Sequence, residues 1–139
     1  MEVNELSVED EKEFTKLIYA DLESGDLERV ISLFTYNKSL YSIVGNLIKN
    51  GDMKVRLGTV MLVEELAETK PEDVKLILPK LLPLLKDESA TVRGDVADLV
   101  GTVGGKEQIE DLMPLLNDPV RPVVEMAEEA IDSIKERCQ

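Results

Sequence analysis

Residues 82–87 read Leu-Pro-Leu-Leu-Lys-Asp, and residues 113–118 read Met-Pro-Leu-Leu-Asn-Asp. Pro83 and Pro114 stand 31 residues apart, as do Asp87 and Asp118. The stretch after each aspartate repeats as well. Val92, Val96, Leu99, Val100 and Val103 map at that offset onto Val123, Ala127, Ala130, Ile131 and Ile134. Their spacing of i, i+4, i+7, i+8 and i+11 traces one apolar face of an α-helix. A looser copy begins at Asn50-Gly51-Asp52 and places Val55, Thr59, Leu62, Val63 and Leu66 at the same five positions, 37 residues before the middle copy. Its six extra residues fit in the turn Thr69-Lys70-Pro71-Glu72 and a longer helix after it. Self-similarity with two helices per unit of 30–40 residues is the signature of an α-solenoid, in which neighbours stack because one unit cannot bury its own stripe.

Upstream of the repeats the pattern stays helical, and no segment alternates at period two long enough to argue a strand. Ser7 to Asp10 form a capping-box start. Phe14, Leu17, Ile18 and Leu22 follow as one stripe, then Leu27, Val30, Ile31 and Phe34 beyond the Ser24-Gly25-Asp26 stop. Leu40, Ile43, Val44, Leu47 and Ile48 give a third stripe. At Asn50-Gly51-Asp52, glycine supplies a φ > 0 stop and aspartate caps the next helix. The expected fold is all-α, with eight helices at about 8–23, 26–36, 38–50, 52–69, 72–86, 88–103, 106–117 and 119–137. They fall into four antiparallel pairs, about 7–36, 38–69, 72–104 and 106–137, within a single domain over residues 1–139.

The 139 residues include 29 acids and 16 bases, for a net charge of −13. That charge argues against nucleic acid, whose binding needs Lys and Arg to displace counterions, and against anionic membrane surfaces. With 43% apolar residues the chain is too hydrophobic for a disordered acidic tail. There is no histidine. This removes Ser-His-Asp and Cys-His systems and every histidine-ligated metal. The lone Cys138 cannot form an internal disulfide and is expected exposed on a fraying C-terminus. The acidic start Met1-Glu2-Val3-Asn4-Glu5 does not fit a signal peptide, and the apolar run from Leu76 to Leu85 is short and broken by Pro79, Lys80 and Pro83. A cytoplasmic location is expected.

Leu84-Leu85-Lys86-Asp87 followed by Val92-Arg93 resembles a HEAT repeat, and the 31-residue spacing is similar to the short HEAT-like units of phycobilin lyases. Pro79 stands where such units kink their first helix. The resemblance covers about residues 40–137 and implies a right-handed superhelix with second helices on the concave side. It also implies an Asp–Arg ladder between units, which Asp87 with Arg93 fits and Asp52 with Arg56 approaches. In the last unit Val124 takes the arginine position and Arg121 is shifted, so the ladder is expected to stop there. Family members with di-iron hydroxylase activity use His-Glu pairs, which this chain lacks. Those acting as DNA glycosylases carry a basic concave face, which it also lacks.

Glu64, Glu65 and Glu68, like Glu128, Glu129 and Asp132, put acids on one helical face. A metal or acid–base site is one reading and a solvated face the other. No Asp-x-Asp-x-Asp-Gly loop supports the first. Gly101, Gly104 and Gly105 lack a following Gly-Lys-Ser/Thr and read as a helix C-cap, not a phosphate loop. No catalytic residue, cofactor or metal site is assigned.

On the concave side implied by the resemblance, the off-stripe residues are Glu64, Glu65, Glu68, Asp95, Asp98, Glu125, Glu128, Glu129 and Asp132. They suit a protein partner with a basic surface or tail, although acids also serve solubility. The expected function is a non-catalytic interaction module. The alternatives are an accessory subunit of a lyase-like enzyme complex or a structural oligomer. Residues 1–36 carry net −7 and residues 105–139 net −5. This charge should cap the ends and keep the protein a monomer or a small closed oligomer.

Overall fold

At the start of four of the five longer helices a side chain accepts a first free N–H group and sets the boundary. A computed structural model describes residues 5–139; residues 1–4, which hold most of the acidic start, lie outside the described residues. Ser7 Oγ accepts from the Asp10 N–H at 3.1 Å and opens α1, Val8–Glu23. Gly25, at φ +84°, turns the chain in the left-handed region. Asp26 then caps α2, Leu27–Tyr36, through the Arg29 N–H. Asp52 caps α4, Met53–Thr69, through the Val55 N–H at 3.0 Å. Gly51 does not adopt the expected positive φ; it is extended at φ −78°. A Cβ there would collide with the Leu47 carbonyl oxygen, so glycine is required for space.

The last two long helices begin differently. Asp87 and Asp118 are not N-caps; their carboxylates accept from the N–H groups of Ser89 and Val120 in Asx-type turns. Helix α6, Ala90–Val103, is capped by Ser89, and α8, Arg121–Arg137, follows Val120, each starting two residues later than predicted.

The first helices of the repeats are broken rather than continuous. α3, Val44–Asn50, follows a 3₁₀ turn at Lys38–Ile43. α5, Leu78–Leu81, is flanked by 3₁₀ turns Asp73–Ile77 and Leu82–Lys86. α7, Glu107–Leu112, passes into a 3₁₀ turn at Met113–Asn117. Pro79, Pro83 and Pro114 each remove an N–H and crowd the preceding turn, which forces the tighter winding. Nothing in Lys38–Ile43 accounts for its own.

All fifteen residues of the three repeat stripes are buried, including Leu99 at 0% exposure. Thr59, the polar exception, donates its hydroxyl to the Val55 carbonyl at 2.8 Å. Successive second helices α4, α6 and α8 pack side by side, with α3, α5 and the 3₁₀ turn Leu82–Lys86 behind α6. Gly101 is not a C-cap, a role taken by Gly104. It lies inside α6, where its Cβ position is 2.7 Å from both Cα and Cβ of Ala130. The bare backbone lets α8 approach that closely. The first stripe is only half in the core: Ile18 and Leu22 are buried, whereas Phe14 and Leu17 are 38% and 59% exposed. Cys138, expected on a frayed end, is partly buried against the core.

The ladder is shifted from the expected pairing. Arg93 reaches forward to Asp118, Nε–Oδ2 at 2.8 Å and Nη2–Oδ1 at 3.0 Å. Its Nη1 donates back to the Asp87 and Glu88 carbonyls. Asp118 is held below the usual carboxylate range, first by the Arg93 hydrogen bond and then by the one from the Val120 N–H. Asp87 pairs instead with Lys49 at 3.3 Å, and Arg56 with Asp95 at 2.9 Å. Arg121, out of register, pairs among the described residues only with Glu125 on its own helix, at the surface.

Candidate functional site

Helical geometry decides which acids can meet, since each residue turns the helix by about 100°. On α4, Arg56 faces α6 through Asp95, and Gly58 packs on Leu22 of α1. Glu64 and Glu68 lie between these two directions, on the exposed outer side. Glu65, seven residues after Gly58, shares its side and is turned toward α1. On α8, Ala130 marks the side against α6. Glu129 is one step from it, whereas Glu128 and Asp132 are nearly opposite and Glu125 is held by Arg121.

The nine predicted acids therefore do not form one strip. Glu64 of α4, Asp95 and Asp98 of α6, and Glu129 of α8 come together across the three second helices. Asp98 is central and partly buried. Burial raises its carboxyl above the usual range, and the negative charges of Glu64, Asp95 and Glu129 push in the same direction. Asp95 is only partly available, because Arg56 neutralises it. Glu68 extends the cluster along α4. Among the described residues no three such groups converge as a metal site would require. The arrangement concentrates negative potential on the face of α4, α6 and α8.

Two apolar features escaped the sequence reading. Phe14, Leu17, Leu33 and Leu40 line a groove of about 370 Å³ between α1 and α2, rimmed by Asp21 and Arg29. Phe14 and Leu17 show the same helical spacing as core residues, so the pattern carried no warning. Met53, Leu57 and Met61 form an exposed row on α4. Here a signal existed, since all three fall outside the five-position stripe.

Of the three tyrosines, Tyr41 is buried edge-on to Phe34, with its hydroxyl pushed up to about 12 by burial and by Asp73. Tyr19 accepts from the Asp52 N–H, and Tyr36 is exposed at the end of α2. They build no aromatic wall on the face of α4, α6 and α8. No helix of the described residues is long and apolar enough to cross a membrane.

No curated protein and no solved structure matches the chain. The family model described as HEAT repeats matches residues 42–132, well over half the chain. That span holds all of the three stripes except Ile134, together with the proline-broken helices α5 and α7 and the forward-reaching arginines. The chain belongs to the HEAT-repeat family.

Proposed function

We propose that the protein is a non-catalytic interaction module, one array of four helix pairs over about residues 7–137, that holds a basic partner protein on the face of α4, α6 and α8. HEAT repeats are in general interaction and scaffolding units, and this chain carries the net charge to select a cationic partner. The observation that carries the reading is Asp98. A carboxylate partly buried among Glu64, Asp95 and Glu129 is electrostatically unfavourable in the free protein. A lysine or arginine placed there would relieve it. A purely solubilising role would leave the acids dispersed and fully solvated.

The test is affinity capture from the native extract. The wild type is compared with a Glu64→Lys/Asp98→Lys/Glu129→Lys variant, which spares Asp95 and its ladder contact. The reading expects a specific co-eluting protein to bind more weakly as salt rises and to be lost with the variant. Undiminished capture by a variant of unchanged melting temperature would refute it.

A further inference from the structure

The apolar row on α4 narrows the kind of partner. Met53, Leu57 and Met61 are 75%, 60% and 48% exposed and recur every four residues, so they run about 12 Å along the helix. The row lies between the α6 side marked by Arg56 and the α1 side marked by Gly58. It continues directly into Glu64 and Glu68. Large apolar side chains grouped on a surface and rimmed by charge mark interaction sites, and methionine adapts its shape to what covers it.

We infer that this row anchors the apolar face of a basic amphipathic helix from the partner, whose lysines and arginines lie toward Glu64, Glu68, Asp98 and Glu129. The inference rests on the proposed use of this face. Charge selects the occupant. A second copy would bring another net −13 against the same acids, and an anionic lipid surface would be repelled. A neutral helix would cover the acids without pairing them. A helix also matches the geometry, because its own apolar residues repeat at i, i+3, i+4 and i+7 and can interlock with a row of period four. The described residues offer no strand edge for an extended peptide to join.

The test uses the full chain and three synthetic peptides of about 18 residues, long enough for five helical turns. One is a Lys/Leu amphipathic helix, one an isomer of the same composition with its leucines spread round the helix, and one is oligolysine. Calorimetry should show the amphipathic peptide binding at least about tenfold more tightly than its isomer. A Leu57→Ser/Met61→Ser variant, altered only at exposed positions, should lose that preference and keep the salt-dependent remainder. Amide shifts of the wild type should map to α4, α6 and α8. Equal binding of the two isomers, or a preference that survives the double variant, would overturn the apolar anchor and leave the acidic face standing. Peptides that shift none of these three helices would overturn both.

Discussion

Adding one methyl group at Gly101 should damage the protein, while adding one at Gly94 should strengthen it. Both glycines lie inside α6, where replacing glycine by alanine ordinarily stabilises by about 1 kcal/mol. At Gly94 the nearest atom to the new Cβ would be Val123 Cγ2 at 4.0 Å, an ordinary contact. Gly94→Ala should therefore gain most of the propensity term. At Gly101 the new Cβ would sit 2.7 Å from Ala130 Cα and Cβ. The Cα is backbone, so no rotamer change relieves the clash, and α8 must move outward by roughly 1 Å to reach normal contact. Overpacking of this kind costs about 1–3 kcal/mol, and the separation also loosens the Val96, Ala127 and Ile134 packing. The propensity gain applies at both glycines and cancels, so the two variants should differ by about 1–3 kcal/mol. For a chain of this size that is roughly 3–9 °C in melting temperature, since 1 kcal/mol corresponds to about 3 °C. Thermal melts followed by circular dichroism, with urea titrations for the free energies, would measure it. Gly101→Ala melting at or above Gly94→Ala would show that α6 and α8 do not touch at Gly101.

Leu99→Ala should cost about 2–5 kcal/mol in a denaturant titration, because Leu99 is fully buried on the middle stripe; a loss under about 1 kcal/mol would mean the stripe is out of register. Asp98→Asn should raise the melting temperature at neutral pH and leave it nearly unchanged at pH 3. A raised folded-state carboxyl binds its proton more tightly than in the unfolded chain, so stability declines as pH climbs above the ordinary value of 3.8. A constant difference across a pH series would contradict the charge cluster. Asp87 and Asp118 are lowered, so their stabilisation should be present above that ordinary value and fade as pH falls through their depressed range, seen as a lower melting temperature in acid. Arg93→Ala should depress the melting temperature far more than Arg121→Ala, because Arg93 joins two units while the exposed Arg121–Glu125 pair contributes at most about 0.5 kcal/mol. Equal effects would deny the inter-unit clamp.

The repeats were legible because burial and periodicity coincide there: Val92, Leu99 and Val103 can satisfy their spacing only by facing the neighbouring unit. The winding of the first helices was less so. Pro79, Pro83 and Pro114 announced an interruption, but 3₁₀ pieces rather than a simple kink depend on how each segment packs on its second helix. Phe14 and Leu17 show why periodicity alone misleads, since both keep the spacing of core residues yet stay exposed on α1. The ladder partners were misassigned because Asp87 and Arg93 are close in sequence, whereas the guanidinium reaches forward by one repeat. Of the nine acids, those resolved into a cluster are the ones whose helical phase points between helices. Phase relative to a neighbour is set by residues such as Gly101 and Gly58, and it becomes readable only once these contacts are known.

A partner held on the face of α4, α6 and α8 would perturb the backbone there, which nuclear magnetic resonance of the labelled chain in complex with the captured partner reads as amide shifts. These shifts should concentrate at Leu57, Met61, Glu64, Asp98 and Glu129 and shrink as salt is raised. Shifts confined to the groove between α1 and α2, or to α5 and α7, with no response along α4, α6 and α8, would contradict a partner held on that face.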